Sequence, residues 1–282
     1  TATPLREDNH FKELHHIIGP FLYRAQWTTL VGQGIIASIQ CTDVQCNMLF
    51  NKEYQKATSE IEKKYYSALN PEKIRLCASL LKHHLQQGHQ ILIFFEELFV
   101  MTMYAKLLHD EHGYPLVKIE SKENQSIVTK ALNDFKRGYI SVLCFSRTGD
   151  SSFDIPNACV GIQISSHNGS RRQEVQRMGR ISRSTHVGTP PSEGQIDSYF
   201  YTLTSDNTRE VEDRSHRTQY MNEDAVTFDS ITIQSSSLED KWLHIRRNMK
   251  DASLRNIQKR SIMATIRKEL THNHAIVQSK PR

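Results

Sequence analysis

The stretch QILIFF, at residues 90–95, is an almost unbroken apolar run, typical of a strand buried on both faces of a parallel sheet. On its carboxyl side, helix-periodic segments alternate with further apolar or alternating runs. The predicted strands there are 116–120, 139–146, 159–165 and 198–204, and the predicted helices are 97–109, 122–137 and 171–183. Strands that alternate with helices in this way predict an α/β domain built on a mostly parallel sheet.

The amino side of the same stretch is also organised, although less regularly. Residues 35–40 (IIASIQ) predict a strand, and residues 53–68 predict a helix with a highly charged outer face. Asn70 is placed to cap a second helix, because Pro71 fits its first position and Gly88 its end. The domain therefore begins well before residue 90.

Charge is distributed unevenly along the 282 residues, whose formal net charge is +5. After a short predicted strand at 225–234, residues 241–282 hold eleven Lys or Arg against two acids in a helix-prone context. Such a segment either meets nucleic acid or an acidic partner, or serves only as a solubilising tail. We interpret 235–282 as a basic tail that is helical or partly disordered.

Composition limits the class of protein. With 38% hydrophobic residues and a mean hydropathy of −0.55, the chain can form a sizeable core, and no apolar run approaches a membrane span. Its five cysteines lack metal-ligand spacing, which argues against a zinc site and favours a reducing compartment. The first residue is Thr1 rather than Met, so we expect a fragment or a processed product.

We call residues 171–183, RRQEVQRMGRISR, the arginine segment. Ser170 and Gln173 form a capping box, which predicts that a helix starts here. At 100° per residue, two amides and two guanidiniums share an arc of about 80°. These residues are Gln173, Gln176, Arg180 and Arg183, and the apolar face opposite them consists of Val175, Met178 and Ile181. Paired arginines suit a phosphate that gains charge in a transition state, whereas a merely solvated basic face is the alternative.

A second polar loop, SRTGDSSFDIP at residues 146–156, also follows a predicted strand. Ligands of parallel α/β sheets bind beyond the carboxyl ends of the strands, where both polar segments are expected. If the two preceding strands are neighbours, Asp150 and Asp154 border the same cleft as Arg180 and Arg183. That cleft would suit a ribose with phosphates or a nucleic-acid backbone, while loop capping and ion pairing are the alternative.

Four segments resemble motifs of superfamily 2 helicases and occur in the same order. Motif V is matched by Ser146, Asp150, Ser152, Asp154 and Pro156, and motif VI by Gln176, Gly179, Arg180 and Arg183. Thr1-Ala2-Thr3 resembles motif III, and QILIFFEEL resembles motif IV. The longer stretches TATPLRED, FDIPNA and IQISSHNGSRRQEVQRMGR are similar to the XPB-type helicases of the transcription and repair factor TFIIH. That similarity runs from Thr1 to about residue 232.

The resemblance implies the carboxyl-terminal RecA-like lobe of an ATP-dependent DNA helicase or translocase. Such a nuclear enzyme opens promoters and acts in nucleotide excision repair. Arg180 and Arg183 would be arginine fingers on the γ-phosphate of ATP, and Ser146 would touch a DNA phosphate. The remaining family positions are the nucleotide contacts Gln176, Gly179, Asp150 and Asp154 and the coupling residues Thr1 and Thr3. Double-stranded DNA, an amino-terminal RecA-like lobe and TFIIH-like subunits are the implied partners, without a membrane.

The same resemblance divides the chain into an inter-lobe segment at 1–34, a RecA-like lobe at 35–234 and the tail at 235–282. The charged helix at 53–68 falls where XPB-type proteins carry a thumb-like insertion. DNA contact by Lys56, Lys63 and Lys64 is therefore expected, with a solvated face as the alternative. The chain departs from the family pattern at 119–126 (IESKENQS), which lacks the expected Gly and Arg.

The 282 residues contain no G-x-x-x-x-G-K-[ST] sequence and no D-E-x-H box. The lysine and the Mg²⁺ ligands that hold the β- and γ-phosphates are therefore missing. We expect ATP and Mg²⁺ to be held mainly by another RecA-like lobe before Thr1, so that this chain alone does not hydrolyse ATP. The alternative function is a catalytically inert scaffold that binds DNA or partner subunits.

Overall fold

The computed structural model describes residues 25–120, 123–146, 158–165, 171–182, 195–213 and 259–271, the backbone of 227–233, and residues 16, 17, 19, 23, 155 and 192. Seven strands in these ranges form one fully parallel sheet. They are β1 (Ile39–Cys46), β2 (Ile91–Phe94), β3 (Val117–Ile119), β4 (Val142–Phe145), β5 (Val160–Gln163), β6 (Ser198–Ser205) and β7 (Thr227–Ile233). Their order across the sheet is β3-β4-β2-β5-β6-β1-β7, which confirms the predicted α/β class.

Helices separate most of these strands along the chain. They are α1 (Trp27–Gly32), α2 (Asn51–Lys56), α3 (Glu60–Ala68), α4 (Pro71–Gln86), α5 (Leu98–His112), α6 (Gln125–Lys136), α7 (Arg171–Met178) and α8 (259–271). Within the described ranges, none of the helices is long and apolar enough to cross a membrane. Parallel strands joined by helices of this kind form a layered α/β/α domain.

Two predicted elements differ from the structure. The strand expected at 35–40 begins later, as β1, because the N–H of Ala37 donates to the carbonyl of Ser182 at 2.8 Å instead of joining the sheet. The strand continues through two polar residues, Thr42 and Asp43, which are both buried. The single helix expected at 53–68 is two helices, because Ala57 adopts an extended conformation (φ −66°, ψ 129°) after α2.

Asn70 precedes α4, as predicted, but its side chain does not cap that helix. Instead, its Nδ2 donates to the carbonyl of Asn47 at 2.9 Å and to Oγ of Ser205 at 3.1 Å. Asn47 follows β1, and Ser205 ends β6. The residue therefore joins two strand ends to the start of α4, and Pro71 alone marks the start of that helix.

The core has two parts, one on each face of the sheet. Alternate residues of β2 enter opposite parts, with Ile91 and Ile93 on one face and Leu92 and Phe94 on the other. The first face is covered by α3, α4, α5 and α8, and the second by α6 and α7. Helices α4, α5 and α6 each contribute apolar residues to these cores, whereas Leu98 of α5 and Ile127 of α6 are exposed.

Helix α8 lies within the basic tail predicted at 235–282 and forms part of the first core. Ile262 and Ile266 are completely buried there, while Arg260, Arg267 and Lys268 are exposed. Lys259 donates to the carbonyl of Leu49 and lies 5.5 Å above the ring of Phe50. The apolar side of this helix therefore docks on the lobe, and its basic side faces solvent.

A histidine cluster at the amino edge of the sheet predicts acid sensitivity. Nδ1 of His84 lies 2.9 Å from Nδ1 of His89, and its Nε2 lies 3.1 Å from the hydroxyl of Tyr201. One nitrogen of the His84–His89 contact must accept, so a doubly protonated pair cannot keep it. Burial lowers the pKa of His83 and His89 below 6.5, and the charge of His83 lowers that of His89 further.

We therefore expect the free energy of unfolding to fall as pH decreases from about 6.5 towards 5. The unfolded chain takes up protons in this window while the folded histidines resist them, so stability must drop with pH. Thermal unfolding at pH 7.5, 6.5 and 5.5 measures this, with the double substitution His83→Gln and His89→Gln as control. A melting temperature that is equally flat in both proteins would contradict the assignment.

Candidate functional site

Three neighbouring strands bring polar residues to the carboxyl edge of the sheet. Ser146 lies just beyond β4, Glu96 beyond β2 and Ser165 beyond β5. Because β2 pairs with both β4 and β5, the strands that precede the two polar loops are not neighbours. The predicted single cleft required these two strands to be neighbours, and this condition is not met. The two strands are separated by about 10 Å, twice the usual spacing, but end at the same edge.

The arginine segment is helical only in its first part. Helix α7 ends at Met178, and the N–H of Arg180 donates to the carbonyl of Arg177 at 3.0 Å in a tight turn. A continuous helical wheel thus applies to Gln176, which lies on α7, but not to Arg180, which lies in the turn. The predicted apolar face is confirmed for Met178 and Ile181, which are buried.

Two charged residues on the underside of α7 were missed by the sequence pattern. Arg177 is completely buried (0% exposed), with its guanidinium 5.2 Å from the centre of the Phe94 ring. It donates to Oε1 of Gln163 at 2.8 Å and to the carbonyl of Ser165 at 2.9 Å. Glu174 is also buried and accepts from Oγ1 of Thr202 at 3.2 Å.

The buried charges fix α7 to the sheet. The sequence carries a signal for these buried charges. Glu174 and Arg177 have opposite charges three residues apart, and the preceding strand contains a single polar residue, Gln163. Because the planar guanidinium donates to two acceptors at once, Arg177 ties the position of α7 to the end of β5. This contact sets where the turn that carries Arg180 begins.

A second buried cation holds the same strand end. Nζ of Lys73, a fully buried residue of α4, donates to the carbonyl of Ile164 at 3.2 Å and pairs with Glu210 at 2.7 Å. The carboxylate of Glu210 also accepts from the N–H of Ser205 at 2.8 Å. Lys73 and Arg177 therefore donate to the consecutive carbonyls of Ile164 and Ser165 after β5. These two bonds fix this edge of the sheet.

The lysines of the charged helix are largely engaged within the chain. Nζ of Lys63 lies 3.2 Å from Glu60, and Nζ of Lys64 lies 3.1 Å from Glu96. The carboxylate of Glu96 is 2% exposed, whereas the side chain of Lys64 is 36% exposed. Lys56 is exposed and makes no ion pair with the described residues. Of the three candidates, Lys56 is the one that makes no ion pair within the described part of the chain.

A groove of about 710 Å³ separates α2 and α3 from residues 206–213. It is lined by Gln45, Tyr54, Gln55, Glu60, Lys63, Asp206, Asn207, Thr208, Arg209, Val211 and Glu212. Acids and bases are mixed along its walls, so the groove lacks the one-signed charge that concentrates phosphates. The charge distribution therefore favours the surface near α7, rather than this groove, as the candidate site for a phosphate.

Comparison with known proteins identifies the family. Residues 30–280 match the family model described as the ERCC3/RAD25/XPB C-terminal helicase. The chain belongs to this family. It is 38% identical to the Dictyostelium discoideum XPB subunit of general transcription and DNA repair factor IIH, over 82% of this chain and 28% of that protein. The Danio rerio XPB subunit is 34% identical, over 91% of this chain and 32% of that protein. The chain thus spans about a third of the length of these relatives.

Solved structures agree with the fold of an XPB-family helicase lobe. Dbp5 of S. cerevisiae, bound to RNA and ADP BeF3, superposes with a TM-score of 0.56 at 13% identity, covering 87% of this chain and 54% of Dbp5. T4 UvsW superposes with a TM-score of 0.51 at 12% identity, covering 70% and 42% of the two chains. At these identities the likeness establishes the fold alone, which is that of a RecA-like helicase carboxyl-terminal domain.

The described residues of this XPB-family lobe fit nucleotide contacts but not a metal site. Gln176 on α7 and Arg180 in the turn that follows are half-buried, and Nε2 of the buried Gln163 has no hydrogen-bond partner among the described residues. In the same part of the chain, no group of three or more His, Cys, Asp or Glu could hold a metal ion. Among the described residues, donors for phosphate are therefore present, whereas a cluster of Mg²⁺ ligands is not.

Several residues of the XPB-family pattern lie outside the described residues, namely Thr1, Thr3, Asp150, Asp154 and Arg183. Gly179 is described and lies exposed in the turn after α7. Ser146 is buried directly beyond β4. The structure therefore keeps Gln176, Gly179 and Arg180 together and leaves Ser146 two strands away. It also corrects the expected position of the arginines at the carboxyl edge. The carbonyls of Ile181 and Ser182, directly after Arg180, accept from Oγ of Ser198 at 2.7 Å and from the N–H of Ala37 at 2.8 Å, at the amino ends of β6 and β1.

Proposed function

We propose that the chain is one half of an ATP-dependent DNA helicase or translocase of the XPB type. Its arginine segment would complete a nucleotide site whose phosphate and Mg²⁺ ligands belong to a second RecA-like lobe. The observation that carries this proposal is the position of Arg180, which is half-buried in a turn directly after the anchored helix α7. An arginine held this way can reach across a cleft without losing its orientation.

The proposed roles combine this position of Arg180 with the positions of the family motifs. ATP, when bound between the lobes, supplies the phosphoryl group whose transfer drives the cycle. Arg180 and Arg183 would stabilise the charge on that group, and Gln176, Gly179, Asp150 and Asp154 would orient the nucleotide. Ser146 would contact the DNA backbone, and Thr1 and Thr3 would couple the two activities. These roles apply to the lobe at 35–234, with 1–34 as the inter-lobe segment and 235–282 as the tail.

The charged helices α2 and α3 would contact DNA as a thumb-like insertion at 53–68. Lys56 is the readiest of the three lysines, since it is exposed and unpaired among the described residues, whereas Lys63 and Lys64 would exchange an intramolecular carboxylate for a phosphate. The relatives are named as subunits of general transcription and DNA repair factor IIH. We therefore place the activity on double-stranded DNA in the nucleus, in promoter opening and nucleotide excision repair, with TFIIH-like subunits as partners.

ATP hydrolysis by separate and joined lobes tests this function. We expect no turnover from this chain alone, and DNA-stimulated turnover from the protein that carries it together with an ATP-binding lobe, because neither half holds all the groups that phosphoryl transfer needs. Duplex DNA should bind more weakly as salt rises, with log Kd linear in log salt concentration.

The second candidate is an inert scaffold, which is favoured by the ion pairs of Lys63 and Lys64 and by the basic face of α8. A two-lobe protein that binds DNA but never hydrolyses ATP would establish the scaffold instead. Turnover by this chain alone would contradict the half-site, since a complete site would then have to lie within it.

A further inference from the structure

We propose that Glu96 is a positioning residue that links DNA contact at Lys64 to the arginine segment. The inference rests on the proposed function and specifies how DNA would reach the nucleotide site. Its basis is a continuous line of hydrogen bonds that runs from α3, across the ends of β2 and β5, to the turn after α7.

The first half of the line joins α3 to the strand ends. Nζ of Lys64 donates to Oε1 of Glu96 at 3.1 Å, and this carboxylate is 2% exposed. The backbone N–H of the same Glu96 donates to Oγ of Ser165 at 2.9 Å. Glu96 therefore accepts from Lys64 through its side chain and donates to Ser165, at the end of β5, through its backbone.

The second half joins the end of β5 to the catalytic candidate. The guanidinium of Arg177 donates to the carbonyl of Ser165 at 2.9 Å. The carbonyl of Arg177 in turn accepts the N–H of Arg180 at 3.0 Å. Because Arg177 is completely buried, a shift of Ser165 passes to α7 rather than being absorbed by solvent.

The line of hydrogen bonds has two states, because the ammonium of Lys64 cannot contact Glu96 and a DNA phosphate at the same time. Without DNA, Lys64 covers the buried carboxylate of Glu96. When Lys64 turns to a DNA phosphate, that carboxylate loses this cation in a site where charge is costly, so Glu96 shifts towards its remaining partners. Its movement changes the hold on Ser165 and hence the placement of Arg180. DNA binding and arginine placement would therefore be coupled, and the pair would also restrain DNA affinity.

The substitution Glu96→Gln separates this idea from a purely structural role. It keeps the shape of the side chain but releases Lys64, so we expect duplex DNA to bind about two- to tenfold more tightly. The same variant should show a smaller ratio of ATPase kcat with saturating DNA to kcat without DNA. Both quantities are measured in the two-lobe protein, by fluorescence anisotropy of labelled duplex and by steady-state ATPase.

Glu97→Gln is the matched control. It makes the same charge change one residue away, at a half-exposed carboxylate that has no ion pair among the described residues. We expect no more than about a twofold change in Kd from it. If Glu96→Gln binds DNA no more tightly than Glu97→Gln, the proposed competition for Lys64 is wrong.

Ser165 tests the rest of the line without touching Lys64. Ser165→Ala removes the acceptor for the N–H of Glu96, so the DNA stimulation ratio should fall while Kd stays within about twofold. Ser165→Thr, which keeps the hydroxyl, should restore the ratio. Full stimulation in the alanine variant would overturn the link, and thermal unfolding checks that each variant folds.

These outcomes are distinct from failure of the proposed function. If the unsubstituted two-lobe protein neither binds DNA nor hydrolyses ATP, the function and the inference fail together. If it is a DNA-stimulated ATPase in which Glu96→Gln and Glu97→Gln behave alike, only the inference fails.

Discussion

Replacing Arg180 with alanine in the two-lobe protein is expected to lower DNA-stimulated ATPase kcat by about 10³-fold or more. Arg180 is placed by the turn after α7, and an arginine finger acts by neutralising charge that develops on the transferred phosphate. Arg183→Ala should have a similar effect. Steady-state ATPase at saturating DNA and ATP measures the loss.

The DNA affinity of the same variants distinguishes catalysis from folding. Arg180→Ala should bind duplex DNA nearly as tightly as the parent protein, because the proposed DNA contacts lie on other elements. Arg180→Lys keeps the charge but not the planar fork, so its activity should recover only in part. Near-normal turnover in Arg180→Ala would falsify the arginine-finger role.

Substitution of Arg177 should chiefly affect stability. We expect Arg177→Met to lower the free energy of unfolding of this chain by about 2–5 kcal/mol. Methionine fills much of the same volume but leaves Oε1 of Gln163 and the carbonyl of Ser165 without their donor. Buried acceptors that lose a charged partner cost about 1–3 kcal/mol each. Urea unfolding measures the change in the midpoint at an unchanged slope.

Arg137→Met is the control for Arg177. Arg137 is an exposed arginine just after α6, and its loss should change stability by less than about 0.5 kcal/mol. If the two variants unfold at the same urea concentration, Arg177 does not hold α7 to the sheet. The difference between the two midpoints therefore measures the anchor itself.

Local sequence pattern predicted most of the elements because each carries its own signal. The apolar run of β2, the alternating residues of β6 and the Pro71 start of α4 depend only on neighbours in the chain. The break between α2 and α3 was missed because Ala57 is a good helix former. It is buried, and the packing that holds its extended conformation overrides helix propensity.

The parts of the site that could not be predicted depend on contacts between residues that are far apart along the chain. Nothing within β4 or β5 shows that β2 lies between them, since strand order is a property of the whole sheet. Likewise, the pattern assigns Arg177 and Lys64 to a charged surface. Their actual partners, Ser165 and Glu96, are separated from them along the chain. Composition predicts that a charge exists but not which distant carbonyl or carboxylate receives it.

The position of β1 in the sheet has a consequence for synthesis. Both of its neighbours, β6 and β7, come late in the chain, and Ser38 lies 159 residues before its partner Asp197. At translation rates of about 5–20 residues per second, β1 waits on the order of ten to thirty seconds for a partner strand. During that time an eight-residue strand offers open edges to other nascent chains. Its polar centre, with Thr42 and Asp43, lowers its tendency to aggregate before the ribosome delivers β6.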